Sequence, residues 1–577
     1  MRHLLAMMST LLLLSAFSAA SNAVPRTAFV HLFEWQWDDI ASECENFLGP
    51  KGFAAVQVSP PQKSVSGSQW WTRYQPVSYA IEGRSGSRAQ FASMVSRCKA
   101  AGVDIYVDAV INHMAAWDRS FPEVPYGPND FHNCTDDINY GDAWSIQNCD
   151  LVGLNDLKTE SDYVRGKIAD YMNDLIGLGV AGFRIDAAKH MPAADINAIK
   201  SRLNGNPYIF QEVIGAGGEP IQAADYTWVG DVTEFNFTNT IGHYFKLRGP
   251  LKEISNIGSW SGWLSSDNAI TFVANHDNQR QNTDNTITHK DGSNANNMAH
   301  VFTLGWPYGY PKIMSSYDWS DHDQGPPAQG ASSCGNGWLC EHRSRPIANM
   351  VGFRNNTAAY WGVTDYWDNG NHQMAWGRGG LGFVVLNMEG SNLNRSFQTG
   401  MPAGTYCDII HGDFDYSAGT CSGPTITVDG SGNAAFNVYY RNAAAIHAGA
   451  KVGVPCPECG GNAGGETGGG SGGSSGGGSS AVDVSFTCHN GYTYWGQSVY
   501  VVGNTGELGS WDPAQARKLD PAAYPTWSGS VDMPANTDVE WKCLKREEAN
   551  PAAGVEWQSG SNNQFNTSTN SSPTAAF

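Results

Sequence analysis

From Gly460 to Ser480 the chain is almost entirely Gly and Ser, and this segment constrains the fold of all 577 residues more than any other feature. It has next to nothing to bury and behaves as flexible coil, so separate folding units must flank it. Its reach of roughly 25 Å lets them search a surface semi-independently. We read residues 451–481 as the linker and 482–577 as a module the size of one β domain.

Upstream, short apolar segments ending in polar residues alternate with helical stretches: residues 27–33, 54–59, 103–110, 180–185, 208–210 and 269–273. This βα rhythm belongs to a parallel sheet. Its extent predicts an α/β fold closed as an eight-stranded (β/α)8 barrel over residues 24–363, with the functional groups just past the strand C-termini. After Ile111 the rhythm gives way to Pro, Gly, Asn and Asp with two Cys, and helical periodicity resumes near Tyr163. Residues 113–163 therefore read as a loop domain inserted over the barrel mouth. From 364 to 450, alternating strands without helices predict an all-β sandwich.

Arg2 and His3, an apolar run from Leu4 to Phe17 and small residues ending in Ser21-Asn22-Ala23 have the pattern of an export signal over residues 1–23. The run is short for a bilayer span, and no stretch of about 20 apolar residues follows, so a secreted chain with no membrane partner is expected. Twelve cysteines, an even set, fit an oxidising compartment. Short spacings suggest the clips Cys134 with Cys149, Cys334 with Cys340 and Cys407 with Cys421. Cys456 and Cys459 read either as a disulfide or as half of a zinc site. The formal charge of −20 argues against nucleic acid. An acidic chain with 20 Trp and 23 Tyr suits a neutral, hydroxyl-rich ligand, although more than half of these rings must be core.

Three carboxylates follow apolar strands where a barrel would bring them together: Asp186 in Gly182-Phe-Arg-Ile-Asp, Glu212 in Phe210-Gln-Glu-Val, and Asp277 in Asn275-His-Asp-Asn. Glycoside hydrolysis needs one carboxylate to attack the anomeric carbon and another to protonate the leaving oxygen, and a third can hold ring hydroxyls. Alone, each reads equally as a helix cap or loop anchor. Together with Asp108-Ala-Val-Ile-Asn-His113, Gly182 to His190 and Phe272-Val-Ala-Asn-His-Asp277, they resemble, in order and spacing, the α-amylase family of glycoside hydrolases. His31-Leu-Phe-Glu-Trp35, Trp70-Trp-Thr-Arg-Tyr-Gln-Pro76, Met314-Ser-Ser-Tyr317 and Cys340-Glu-His-Arg343 look like its animal-type, chloride-dependent branch and bacterial relatives. The resemblance covers nearly everything from Thr27 to Ala450.

The resemblance implies Asp186 as nucleophile, Glu212 as acid/base and Asp277 as the third carboxylate, with retention of α configuration. It implies Trp70, Trp71, Tyr74 and Gln75 as a sugar-stacking wall. His113, Arg184, Lys189 and His276 would contact the sugar or orient the carboxylates. It implies a calcium ion at Asn112, Gln147, Asp156 and His190, the first and third through side-chain oxygens and the other two through backbone carbonyls. It also implies a chloride ion at Arg184, Asn275 and Lys312. Animal enzymes usually carry Arg at that last position, and lysine replaces the planar fork with a point charge. After Arg280, Gln281 to Thr286 replaces the glycine-rich loop of animal enzymes, so no loop residue carries over.

The terminal module resembles the family 20 starch-binding modules through Val499 to Gly503, Leu508-Gly-Ser-Trp511, Trp541-Lys542 and Val555-Glu-Trp557 with Asn562. This implies one stacking site at Trp511 and Trp557 with Lys542 and Asn562, a second at Trp495 and Tyr524, and a Cys488–Cys543 pair. Expected partners are starch, glycogen and malto-oligosaccharides, and the chain is expected to be a monomer. Glucan transfer on the same fold and a catalytically silent starch-binding protein are the competing readings.

Overall fold

The computed structural model describes residues 28–281, 284–292, 294–331, 334–455, 481–491, 493, 497–523, 525–534, 537–547, 554–567 and 572–577. The expected signal segment, the Gly/Ser run with Cys456 and Cys459, and Trp495 and Tyr524 lie outside them. The chain divides into two compact units, one holding the barrel and the β domain that follows it, the other the terminal module.

Eight strands close the barrel: β1 (Phe29–Leu32), β2 (Ala55–Val58), β3 (Asp104–Ala109), β4 (Gly182–Ile185), β5 (Tyr208–Gln211), β6 (Asp231–Thr233), β7 (Ala269–Thr271) and β8 (Tyr310–Ser315). Neighbours in sequence are neighbours in space, every pairing is parallel, and β8 returns to β1 with Phe29 opposite Lys312. Among the described residues no helix is long and apolar enough to cross a membrane.

The period of two along a strand decides what fills the barrel. Phe29, Ala55, Tyr106, Phe210, Ile270 and Tyr310 form a buried apolar plug, with the Phe29 ring centroid 4.8 Å from that of Tyr310 and 5.5 Å from those of Tyr106 and Phe210. Gly182 leaves room for it, since a Cβ there would lie 2.9 Å from the Tyr106 ring and 2.7 Å from the Tyr208 carbonyl oxygen. Two residues further along the same strands stand His31, Gln57, Asp108, Arg184, Glu212 and Lys312, all buried. The apolar plug thus supports a polar layer at the C-terminal mouth.

Over that mouth lies the inserted segment, tied by the Cys134–Cys149 disulfide and by an antiparallel bridge between His113–Met114 and Asn155–Asp156. Residues 364–447 build two four-stranded antiparallel sheets that enclose Phe383, Phe397 and Phe436. Trp376 joins this domain to the barrel by packing on Phe302 and Trp306. In the module, two further sheets pack around Phe486, Trp527 and Trp541 and the Cys488–Cys543 disulfide. The four short-range or module pairings read from the sequence form, and Cys44–Cys98 adds one that spacing did not suggest.

Candidate active site

Asp186, Glu212 and Asp277 line one pocket of about 720 Å³ at the barrel mouth. Trp70, Trp71, Tyr74, Gln75, His113, Lys189 and His276 line it with them, on the volume scale of ligand clefts. The ladder carries the acids there: Asp186 N–H donates to Ala109 O at 3.1 Å and Glu212 N–H to Ile185 O at 3.0 Å. Asp277 sits in a turn made by Asn275, whose Oδ1 accepts from the N–H groups of Asp277 (3.1 Å) and Asn278 (2.7 Å).

Arg184 lies beneath this floor rather than on the pocket wall. Its Nη1 bonds both Asp108 and Asp186 Oδ1, the latter at 2.8 Å. Nη2 is 2.6 Å from Glu212 Oε1, an ion pair too bent for a hydrogen bond, so both atoms lack a hydrogen-bond partner. Glu212 Oε2 accepts from the Ala187 N–H at 3.1 Å. One guanidinium therefore aims three carboxylates. Burial pushes the Asp186 carboxyl well up against the opposing pull of Arg184, and burial with the nearby Glu212 charge pushes Asp277 up to about 7. Like-charged carboxyls this close and this buried disfavour one another's ionised forms.

The wall is built from neutral rings. Tyr74 stacks on His276 with centroids 5.1 Å apart and planes within 9°, and its OH donates to Asp108 Oδ2 at 2.9 Å. Burial pushes His113 down to about 4 and His276 well below its usual value, so both imidazoles are uncharged. His113 Nε2 is 2.9 Å from Tyr74 O. Lys189 is occupied by Glu219 and by Ile214 O (2.7 Å), and lies over the Tyr140 ring. Tyr140 and Glu219 line the pocket, and Asp108 stands beneath it; the sequence reading named none of these as a site residue.

The four oxygens expected around calcium are of the hard type that suits that ion, with Asp156 Oδ2 also 2.7 Å from His132 Nδ1. Asn112 Oδ1 is buried without a partner. Among the described residues no N–H donates to the carbonyls of Gln147 or His190 outside regular elements. Asp156 is buried, and burial pushes its carboxyl up to about 7. His190 Nδ1 bonds Ile146 O at 2.9 Å, which brings 146–147 beside 190. One carboxylate among neutral oxygens is a hard-cation donor set.

An anion is likewise matched. Lys312 Nζ has no acceptor among the described residues and rests over the Phe272 ring at 4.9 Å; burial and Arg184 pull it down to about 7. Arg184 Nη2 is ion-paired with Glu212 Oε1 at 2.6 Å, so the donors open to an anion are Lys312 Nζ and the amide Nδ2 of Asn275, whose Oδ1 is engaged by the backbone.

In the module, the Trp511 and Trp557 rings lie 6.5 Å apart and 44° from parallel, with Trp557 40 % exposed. Lys542 donates to Gln558 O (2.9 Å) and Gly560 O (2.6 Å), which braces the Trp557 loop instead of leaving the ammonium free. Asn562 Nδ2 donates to Glu540 Oε2 at 3.2 Å.

A parallel barrel with a layer of carboxylates at its mouth, walled by aromatic rings, defines a glycoside hydrolase. Residues 47–215 match the family described as alpha amylase, catalytic domain, residues 365–449 the alpha amylase C-terminal all-beta domain, and residues 481–576 the starch binding domain. An alpha-amylase of Streptomyces violaceus is 43% identical over 94% of this chain and 93% of that protein. One of Tribolium castaneum is 45% identical over 74% and 96%. The crystal structure of alpha-amylase I from Eisenia fetida superposes with a TM-score of 0.69 at 40% identity, covering 73% of this chain and 97% of that one. The chain belongs to the α-amylase family, of the animal-type branch and its bacterial relatives, and carries a family 20 starch-binding module.

Proposed function

We propose that the enzyme hydrolyses internal α-1,4 bonds of starch, glycogen and malto-oligosaccharides with retention of configuration. The observation that carries this reading is the convergence of Asp186, Glu212 and Asp277 on one ring-walled pocket. Asp186, oriented by Arg184, attacks the anomeric carbon while Glu212 protonates the departing glycosidic oxygen. Glu212 then takes a proton from water as it opens the covalent intermediate. Asp277 holds ring hydroxyls, and Trp70, Trp71 and Tyr74 stack on neighbouring glucosyl units. Support for a chain-like substrate comes from a variant of the Eisenia fetida enzyme solved with maltohexaose.

Asn112, Gln147, Asp156 and His190 would hold calcium, and an ion bound there would tie the inserted segment to the barrel. Arg184, Asn275 and Lys312 would hold chloride, whose negative charge favours a protonated acid nearby. Exhaustive EDTA treatment is expected to lower Tm and abolish activity, and activity in halide-free buffer to rise with added chloride. An unchanged Tm in the first case, or a flat response in the second, counts against the ion concerned. The five disulfides among the described residues fit an oxidising compartment, and we place the enzyme outside the cell.

The module would hold raw starch near the catalytic unit and raise its effective concentration. Chromatography of products from the full chain and from residues 1–459 tests both halves of the proposal. Both forms are expected to release a ladder of oligosaccharides from soluble starch, and only the full chain to bind raw granules. Glucose alone or cyclic products would contradict internal hydrolysis, and granule binding by the truncated form would remove the module's role.

A further inference from the structure

The aromatic wall stands on a 3₁₀ helix of only five residues, Trp70–Tyr74, a form with poor hydrogen-bond geometry and little stiffness of its own. What fixes it comes from outside. Glu34, just past β1, has a fully buried carboxylate between two guanidiniums: Arg84 Nε donates to its Oε2 at 2.9 Å and Arg73 Nη1 at 3.4 Å. From that anchor Arg84 crosses the start of the wall. Its Nη1 donates to Gly67 O at 3.1 Å, and its Nη2 to Gln69 O (2.9 Å), Trp70 O (3.1 Å) and Thr72 Oγ1 (3.2 Å). Arg73, itself part of the helix, donates from Nε to Pro60 O at 3.1 Å, and the Glu34 N–H donates to Ser59 Oγ at 2.9 Å. The ends of β1 and β2 are thereby tied to the segment that carries Trp70, Trp71 and Tyr74. Glu34 adopts φ +68°, a left-handed conformation uncommon outside glycine, held where its carboxylate meets both arginines.

We infer that Glu34, acting through Arg84 and Arg73, is a positioning residue that sets the stance of the aromatic wall and so governs glucan affinity without touching glucan. The inference rests on the reading that this wall stacks sugar rings. Arg184 aims Asp186 and Glu212, and the wall reaches that cluster only by the Tyr74 OH bond to Asp108, so a loosened wall weakens binding more than it slows the chemical steps. Glu34→Gln keeps shape and one acceptor but leaves the buried Arg73 and the partly buried Arg84 guanidiniums without their counter-charge. Arg84→Lys keeps the charge and loses the fork that spans several carbonyls at once.

The test is steady-state kinetics on maltoheptaose for E34Q, R84K and, as a control on the wall itself, Trp71→Ala. All three are expected to raise KM by about tenfold, and E34Q and R84K to keep kcat within about threefold of the parent. If Trp71→Ala raises KM while E34Q and R84K lower Tm but keep the parental KM, the strut is structural only and the inference falls. If Trp71→Ala leaves KM unchanged, the stacking reading fails and takes the inference with it. Should E34Q not fold, R84K decides, because Arg84 is one-quarter exposed and sits at the edge of the network.

Discussion

Exchange of Asp186 for Asn is expected to lower kcat on soluble starch by about 10⁵-fold while the protein stays folded, because the proposed nucleophile acts as one unit with its partners and cannot be replaced by them. Asn keeps the shape and the contact with Arg184 and removes a buried charge, so unfolding by urea should show no loss of stability. Glu212→Gln gives the complementary pattern. Its loss is severe on starch and much smaller on a glycosyl fluoride, whose leaving group needs little protonation. Retention of starch cleavage by the Asp186 variant would remove it as nucleophile.

Arg184→Met is expected to produce the largest loss of stability. The guanidinium is fully buried among Asp108, Asp186 and Glu212, and removing one partner of a buried ionic cluster costs about 3–5 kcal/mol. The pH dependence follows from the direction of the shifts. Burial raises Asp108 and Asp186 while Arg184 holds them down, so its loss raises them further. A carboxyl whose folded value is raised binds its proton in the folded state and releases it in the unfolded one. Stability then falls as pH rises above the unfolded value near 4, and the penalty is complete above the folded value. The deficit of Arg184→Met should therefore be small near pH 4 and grow steadily toward pH 8, as read from urea unfolding. An equal deficit at both would mean that the arginine contributes packing alone.

The sequence made the barrel legible where strands were apolar runs and hid it where they were not. β6 has three residues, Asp231, Val232 and Thr233, and β8 begins Tyr310-Pro-Lys, so neither shows a run of apolar residues. Both are strands because neighbours on each side supply the ladder, which a local pattern cannot express. The acids were legible because each follows an apolar strand. The pattern also held the reason they converge: Phe29 and His31, Tyr106 and Asp108, Gly182 and Arg184, Phe210 and Glu212, Tyr310 and Lys312 are pairs two residues apart, apolar or small below and polar above. What stayed hidden depends on contacts between distant segments. Glu34 gains meaning only where Arg84 reaches it, and Arg280 only where Phe33, Trp70, Tyr317 and Trp319 surround its guanidinium within 5.6 Å. Lys189 and Lys542, expected at sugar-binding sites, are engaged by partners within the fold.

In the proposed reaction Asp186 forms a covalent bond to the sugar while Glu212 supplies and retrieves the proton. Incubation with a fluorinated maltosyl fluoride, whose glycosyl–enzyme ester breaks down slowly, followed by mass spectrometry of a digest, reads this directly. A glycosyl mass on the peptide holding Asp186, absent from the Asp186→Asn variant, is the predicted result. A label on Glu212 or Asp277, or turnover with inversion and no label at all, would contradict it.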